Sequence, residues 1–118
     1  MSRAVQFKTG WLVCQAQVLS SLNIADTSTT RRLGLIGQTE IETPLLIDSC
    51  KWIHTFGVKC PIDVAYLDAE MQVIKVQQIR PMRVAMPVLR ARYVLEASAG
   101  TFANWGLVVG HTLEARRT

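Results

Sequence analysis

The sequence of 118 residues predicts an α+β domain that is mostly β. Two observations lead there. Apolar and β-branched residues recur near period two through much of the chain, as in "WLVCQAQV" and "CPIDVAYL", and about seven such short stretches are separated by turn residues. Helical marks occur in only two places, and they do not alternate with the strands as a parallel α/β fold requires. The expected form is an antiparallel sheet or partly closed barrel of about seven short strands with two short helices. It makes a single domain over residues 1–118, a length that suits one hydrophobic core.

Residues 4 to 25 predict an opening hairpin, with "AVQF" and "WLVCQAQV" as strands and Lys8-Thr9-Gly10 as the turn between them. In "LNIADTSTTRRLGLIG", Asp26, Thr27 and Ser28 can each cap a helix N-terminus. Leu33 and Ile36 share a helical face and Gly37 suits a left-handed end, so a helix is predicted over about 28 to 36. Pro44 to Ile47 is a brief apolar strand, and between Asp48 and Gly57 no period holds, which makes the stretch around His54 a loop. From Lys59 onward Cys60, Ile62, Val64 and Tyr66 point one way, while Lys59, Asp63, Ala65 and Leu67 point the other. The turn "DAEM" leads into "QVIKVQQI", completing a hairpin over about 61 to 79. "RPMRVAMPVLRA", with two prolines, is a loop. It precedes a strand "RYVLEA", a helical turn "TFANW" ended by Gly106, and a last strand "LVVGHTLEA" bent at Gly110.

Nearly half the residues are apolar and about a fifth are charged, a globular rather than a disordered balance. No apolar run approaches the roughly 18 to 20 residues of a membrane span. Met1-Ser2-Arg3 followed by "AVQFKTG" breaks the pattern of a secretory signal. Three cysteines, Cys14, Cys50 and Cys60, with no CxxC spacing, argue for a reducing compartment, so a cytoplasmic location is expected. The net charge of +4 is spread from Arg3 to Arg117 without a basic helix or interleaved aromatics, which leaves no strong nucleic-acid signal.

In order along the chain, "ADTSTTRRLGLIG", "PLLIDSCKWIHTFGVKCPIDVAYLDAEMQVIKV", "RPMR" and "ARYVLEASAGTFANWGLVVGHTLE" resemble the DUF192 family, also called UPF0127, of small bacterial and archaeal proteins. "HTFGVKCPIDVAYLD" and "YVLEASAG" are its specific parts. His54-Thr55 follows a His-Thr variant in place of the more widespread Trp-Met-Lys-Asn segment, and Met71-Gln72 stands at a turn where a Gly is usual. Many members carry an export signal that is missing here. The resemblance implies a compact β-rich domain, and no particular reaction.

The candidate site is His54 with Thr55, Lys59 and Asp63, extended by Arg80, Arg83, Arg90 and Arg92. Imidazole titrates near neutrality and a carboxylate can fix its tautomer, so His54 and Asp63 suit an acid/base pair or an anion pocket. The structural alternative is that Asp63 caps loop N–H groups or pairs with a buried Arg, while His54 hydrogen-bonds its own loop. Arginines on a crossing loop suit a phosphate, a carboxylate or an acidic partner, unless Arg92 is taken up by Asp63 or Glu96. Cys50 and Cys60 bracket His54 but lack the close ligand pair of structural zinc; they read as core cysteines, and neither metal nor cofactor is expected. Trp52, if exposed beside His54, makes a recognition surface with it.

Two functional expectations follow. The first is a non-enzymatic accessory domain that binds a small anionic ligand or a protein partner, as a monomer or weak homo-oligomer, through His54 to Asp63 and the Arg80 to Arg92 loop. The second is a small hydrolase or lyase with His54 as general base oriented by Asp63, and Lys59 or Arg92 stabilising an anion.

Overall fold

In a computed structural model that describes residues 6–118, the elements run β1 (Lys8–Cys14), β2 (Gln17–Ala25), α1 (Ser28–Leu33), β3 (Leu45–Asp48), β4 (Ile62–Leu67), β5 (Val73–Ile79), β6 (Tyr93–Ser98), α2 (Thr101–Trp105) and β7 (Leu113–Arg117). The strands form one sheet in the order β5-β4-β6-β3-β2-β1-β7. The sheet is mixed rather than wholly antiparallel, because β2 and β3 run parallel. The connection between them, residues 26–44, carries α1 and is long enough for the crossover that a parallel pair needs. The sheet curls until its edge strands meet at one corner: Gln72 bridges Thr112, the Val73 N–H donates to the His111 carbonyl at 2.8 Å, and the Leu113 N–H to that of Met71 at 2.9 Å. No continuous ladder closes it.

The β4–β5 hairpin stands where the alternation predicts it, with Asp63 opposite Gln78 and Ala65 opposite Val76. Its turn is held by Asp68, whose carboxylate accepts the N–H groups of Glu70 and Gln72 at 3.0 and 2.9 Å. Met71, at φ +64°, takes the left-handed conformation that a glycine would adopt at less cost.

Three expectations are corrected. The opening hairpin turns at Gln15-Ala16, both at positive φ, and Lys8-Thr9-Gly10 lies inside β1. Gly10 reads as a turn residue but serves a close approach: a Cβ there would sit 2.5 Å from the Arg116 carbonyl oxygen on β7. Residues 4 and 5 of the expected first strand, like the start of the chain on which the signal reading rested, lie outside the described residues. Helix α1 is capped by Thr27 in a reciprocal pair with Thr30, at 3.1 Å in each direction. It stops at Leu33 rather than Ile36 because Gly34, at φ +48°, turns the chain away. Of "LVVGHTLEA", only the end, from Leu113, is strand, since Gly110 at φ +100° closes a turn before β7 begins.

Alternation along the central strands sorts the buried residues into two cores. Leu46, Ala65, Leu67, Leu95 and Ala97 join residues from all the other strands inside the curl, where Phe102 of α2 plugs one end. Leu45, Ile47, Ile62, Val64, Tyr66 and Val94 form the second core on the opposite face, roofed by Leu35, Ile53, Val58 and Ala91 from the connections. Which core a side chain joins therefore depends on a single step along its strand.

Candidate functional site

The loop around His54 is held like an extra strand. Thr55 N–H donates to the Arg83 carbonyl at 2.8 Å, Ala85 N–H to that of Ile53 at 3.0 Å and Val88 N–H to that of Lys51 at 2.8 Å, and His54 lies opposite Val84 as an isolated bridge. The arginine-bearing loop of residues 80–92 is thus a brace for residues 51–55. Thr55, fully buried, is the pin: its hydroxyl donates to the Arg80 carbonyl at 2.7 Å and accepts the Arg83 N–H at 2.9 Å. Thr55→Val keeps the shape and removes both bonds. A loss of roughly 1.5–3 kcal/mol is expected, with faster amide exchange at Arg83 and Ala85, measured by denaturation and hydrogen exchange.

Pairing imposes alternation on this segment. Ile53 and Thr55 turn inward, while Trp52, His54 and Phe56 turn out, with the His54 ring 6.2 Å from that of Trp52 and 5.5 Å from that of Phe56. Trp52 is half exposed, which meets the condition for a recognition surface beside His54. Nδ1 of His54 accepts the Phe56 N–H at 3.2 Å, so the neutral ring carries its proton on Nε2. That is the bond within its own loop that the structural alternative anticipates.

The structure does not bring Asp63 to His54. One step along β4 places Asp63 with Ala65 and Leu67, facing the inner core, on the far side of the sheet from the His54 loop. Its carboxylate accepts the N–H groups of Gly100 and Phe102, each at 3.0 Å, and the side-chain amide of Gln78 at 3.3 Å. Asp63 therefore caps α2, whose own N-cap, Gly100, has no side chain to do so. Arg92 pairs with neither Asp63 nor Glu96 but with Asp48, at 3.4 Å, and lies over the Tyr93 ring. Lys59 and Arg80 are exposed, and among the described residues neither forms an ion pair. Of His54, Thr55, Lys59, Asp63 and the arginines of the 80–92 loop, only His54 lines the cavity described next, with Trp52 beside it.

That cavity, of about 420 Å³, lies between the end of α1 and the 50–54 loop. Arg31 and Arg32 flank it, Trp52 and His54 line the loop side, Ile47, Ile53 and Val58 supply apolar wall, and Glu96 of β6 reaches it from the sheet. Gly34, at φ +48°, turns the chain at the end of α1 and lies beside Glu96, a Cβ position there being 4.0 Å from a carboxyl oxygen, an ordinary contact distance. Glu96 is 4% exposed, between cross-strand neighbours Leu45 and Val64. Burial pushes its carboxyl up to about 8, and among the described residues it has no hydrogen bond or ion pair. Among the described residues no sealed side-chain polar atom lacks a partner, so the Glu96 oxygens are not sealed, in keeping with its place in the cavity lining. In its protonated form, which burial favours, the carboxyl carries one O–H donor beside one carbonyl acceptor.

Cys50 also lines the cavity and is half-buried; its thiol, pushed up by burial, donates to the Trp52 carbonyl at 3.1 Å. Cys60, likewise half-buried, packs against the outer core. Among the described residues, no three of His, Cys, Asp and Glu stand close enough together to hold a metal ion. No helix among them is long and apolar enough to cross a membrane.

Sequence reasoning missed Glu96, Arg31 and Arg32 as members of one site. A signal existed for each: a lone Glu inside the apolar run "YVLEA", and paired arginines just before a helix-ending glycine.

A family pattern, DUF192, described as "Uncharacterized ACR", matches residues 12–115. A UPF0127 protein of Pyrococcus horikoshii is 33% identical over 84 residues, 67% of this chain and 73% of its own length. Another, of Pyrococcus abyssi, is 37% identical over 62 residues, 52% of this chain and 53% of its own. Two crystal structures share the fold. A Sinorhizobium meliloti protein described as a "putative transcription regulator" superposes with a TM-score of 0.77 at 18% identity, covering 96% of this chain and 98% of the other. A Novosphingobium aromaticivorans protein described as of unknown function superposes with a TM-score of 0.73 at 18% identity, covering 91% and 83%. Both helices and all but the outer ends of the sheet fall inside the matched residues, and the chain belongs to the DUF192 family.

Proposed function

We propose that this domain is a non-enzymatic binding module that takes a small molecule into the cavity between α1 and the His54 loop. The observation that carries this reading is Glu96: a carboxyl buried in the sheet, with no hydrogen-bond partner among the described residues and with its oxygens unsealed at the cavity it lines, is a group that an entering ligand can hydrogen-bond. The cavity volume and its mostly apolar wall with a few converging polar groups suit a small ligand. Trp52 and His54 stand at its edge as recognition residues, and the Arg80 to Arg92 loop acts through Thr55 to fix them.

The hydrolase reading has less support. It needs Asp63 to orient His54, and it needs a free acceptor on the ring, whereas Asp63 caps α2 and Nδ1 is already engaged.

The test is a small-molecule fragment mixture added to ¹⁵N-labelled protein, wild type against Glu96→Met. Amide shifts clustered at Gly34, Cys50, Ile53 and His54 in the wild type, and absent from the variant, are expected. Shifts that persist unchanged in a folded Glu96→Met protein, or none at the cavity, would remove the reading.

A further inference from the structure

We infer that the ligand is a small organic anion with an apolar body and a neutral amide-type end, the amide meeting Glu96 and the anion meeting Arg31 and Arg32; this rests on the cavity being the binding site proposed above.

Each end follows from geometry. An adjoining recess of about 380 Å³ shares Arg31, Arg32, Ile47 and Cys50 with the first cavity and adds Ser28 and Ser49. The two spaces therefore share the two adjacent arginines of α1, and neither arginine has a carboxylate partner among the described residues. Guanidinium N–H groups suit a carboxylate or phosphate oxygen, and two adjacent positive charges repel an ammonium, while the Ser49 hydroxyl beside them donates to the Asp48 carboxylate at 3.1 Å. Glu96 lines the same cavity, flanked on the neighbouring strands by Leu45 and Val64, and Ile47, Ile53 and Val58 give the space an aliphatic wall. A protonated carboxyl offers one O–H donor beside one carbonyl acceptor, which pairs with the C=O and N–H of a carboxamide or lactam; an alcohol or an ether uses half of it.

The proton on Glu96 belongs to this recognition. Burial holds its carboxyl up to about 8. The titratable and charged groups that face it are Arg31 and Arg32 from α1, Cys50 and His54 from the loop, and Tyr66 from β4, whose hydroxyl is pushed up to about 12. Ionisation of Glu96 removes the donor and sets a negative charge against an anionic ligand. Binding therefore weakens as pH rises through about 8.

Four probes separate the ends: para-carbamoylbenzoate, benzoate, benzamide and para-(aminomethyl)benzamide. Affinity is read by calorimetry and by the emission of Trp52, with Trp52→Phe as control, at about pH 7 and about pH 9. The carbamoylbenzoate is expected to bind at least roughly tenfold more tightly than benzamide or the aminomethyl compound, a difference of about 1.4 kcal/mol. The Arg31→Ala/Arg32→Ala variant, altered only at exposed positions, should lose that preference. Glu96→Gln, which keeps a donor and an acceptor, should bind without the loss at high pH. If the aminomethyl compound or benzamide enters the cavity as tightly as the carbamoylbenzoate, or if the anion preference survives without the arginines, the ligand class is wrong while the binding site stands. If no probe perturbs Trp52 or binds, both fall together.

Discussion

Between about pH 4.5 and about pH 8 the protein is expected to lose stability as pH rises, on the order of 5 kcal/mol at most, and Glu96→Gln is expected to abolish that slope. The sign follows from proton binding. Glu96 in the unfolded chain titrates as an ordinary glutamate, whereas in the folded protein burial raises it to about 8. Through the window between the two values the folded state holds a proton that the unfolded state has released. Stability is therefore greatest below the unfolded pKa, falls as pH climbs, and stops falling above the folded one. Asp26 acts in the opposite sense, because its hydrogen bonds to Lys8 and Arg117 hold it below the usual carboxylate range. Its contribution is lost at acid pH, as pH falls through that lowered value, so it lies outside this window and cancels between wild type and variant. Urea unfolding at several values across the window measures the slope. Parallel profiles for the two proteins would mean that Glu96 ionises in the fold as it does in water.

Asp63→Ala is expected to destabilise the protein by roughly 3–5 kcal/mol, because it strips a buried charge-assisted acceptor from the N–H groups of Gly100 and Phe102 and opens a gap under α2. Asp63→Asn retains an acceptor and should lose less, about 1–2 kcal/mol. His54→Ala, at an exposed ring whose hydrogen bond stays within its own loop, should change stability by less than about 0.5 kcal/mol. Thermal or denaturant unfolding of the three variants separates a structural carboxylate from a functional one. If Asp63→Ala and His54→Ala both left stability unchanged, Asp63 would not be the cap of α2.

The parts of the fold that the sequence made legible are those governed by local pattern. The β4–β5 hairpin follows from clean alternation, α2 from its small-residue approach and Gly106, and the start of α1 from Asp26, Thr27 and Ser28, among which the structure uses Thr27 as the cap. The parts it concealed depend on distant chain. Gly10 is a strand residue because β7 runs close beside it, and nothing within several residues signals that. The parallel pairing of β2 with β3 is set by the crossover rather than by either strand's composition.

The site divides the same way. Alternation from Lys59 onward correctly set Asp63 apart from Ile62 and Val64, yet joining it to His54 required a fold in which the loop lay on Asp63's face. Glu96 shares a face with Val94, and a glutamate on a strand is ordinarily solvated. Its burial arises only because Gly34, Ile53 and Val58, all far away in sequence, come to cover that face. Arg31 and Arg32 look like helix-end charges until the fold sets them beside that cavity.

The central claim is that Glu96 is a neutral, unpartnered acid offered to a ligand. Its side-chain ¹³C carboxyl resonance, assigned by difference from Glu96→Gln and followed across pH, tests this most directly. The expected midpoint is near 8 in the free protein, displaced upward when para-carbamoylbenzoate fills the cavity and needs the proton for its hydrogen bond. A midpoint near about 4.3, the ordinary value for glutamate, and unmoved by the probe would contradict it.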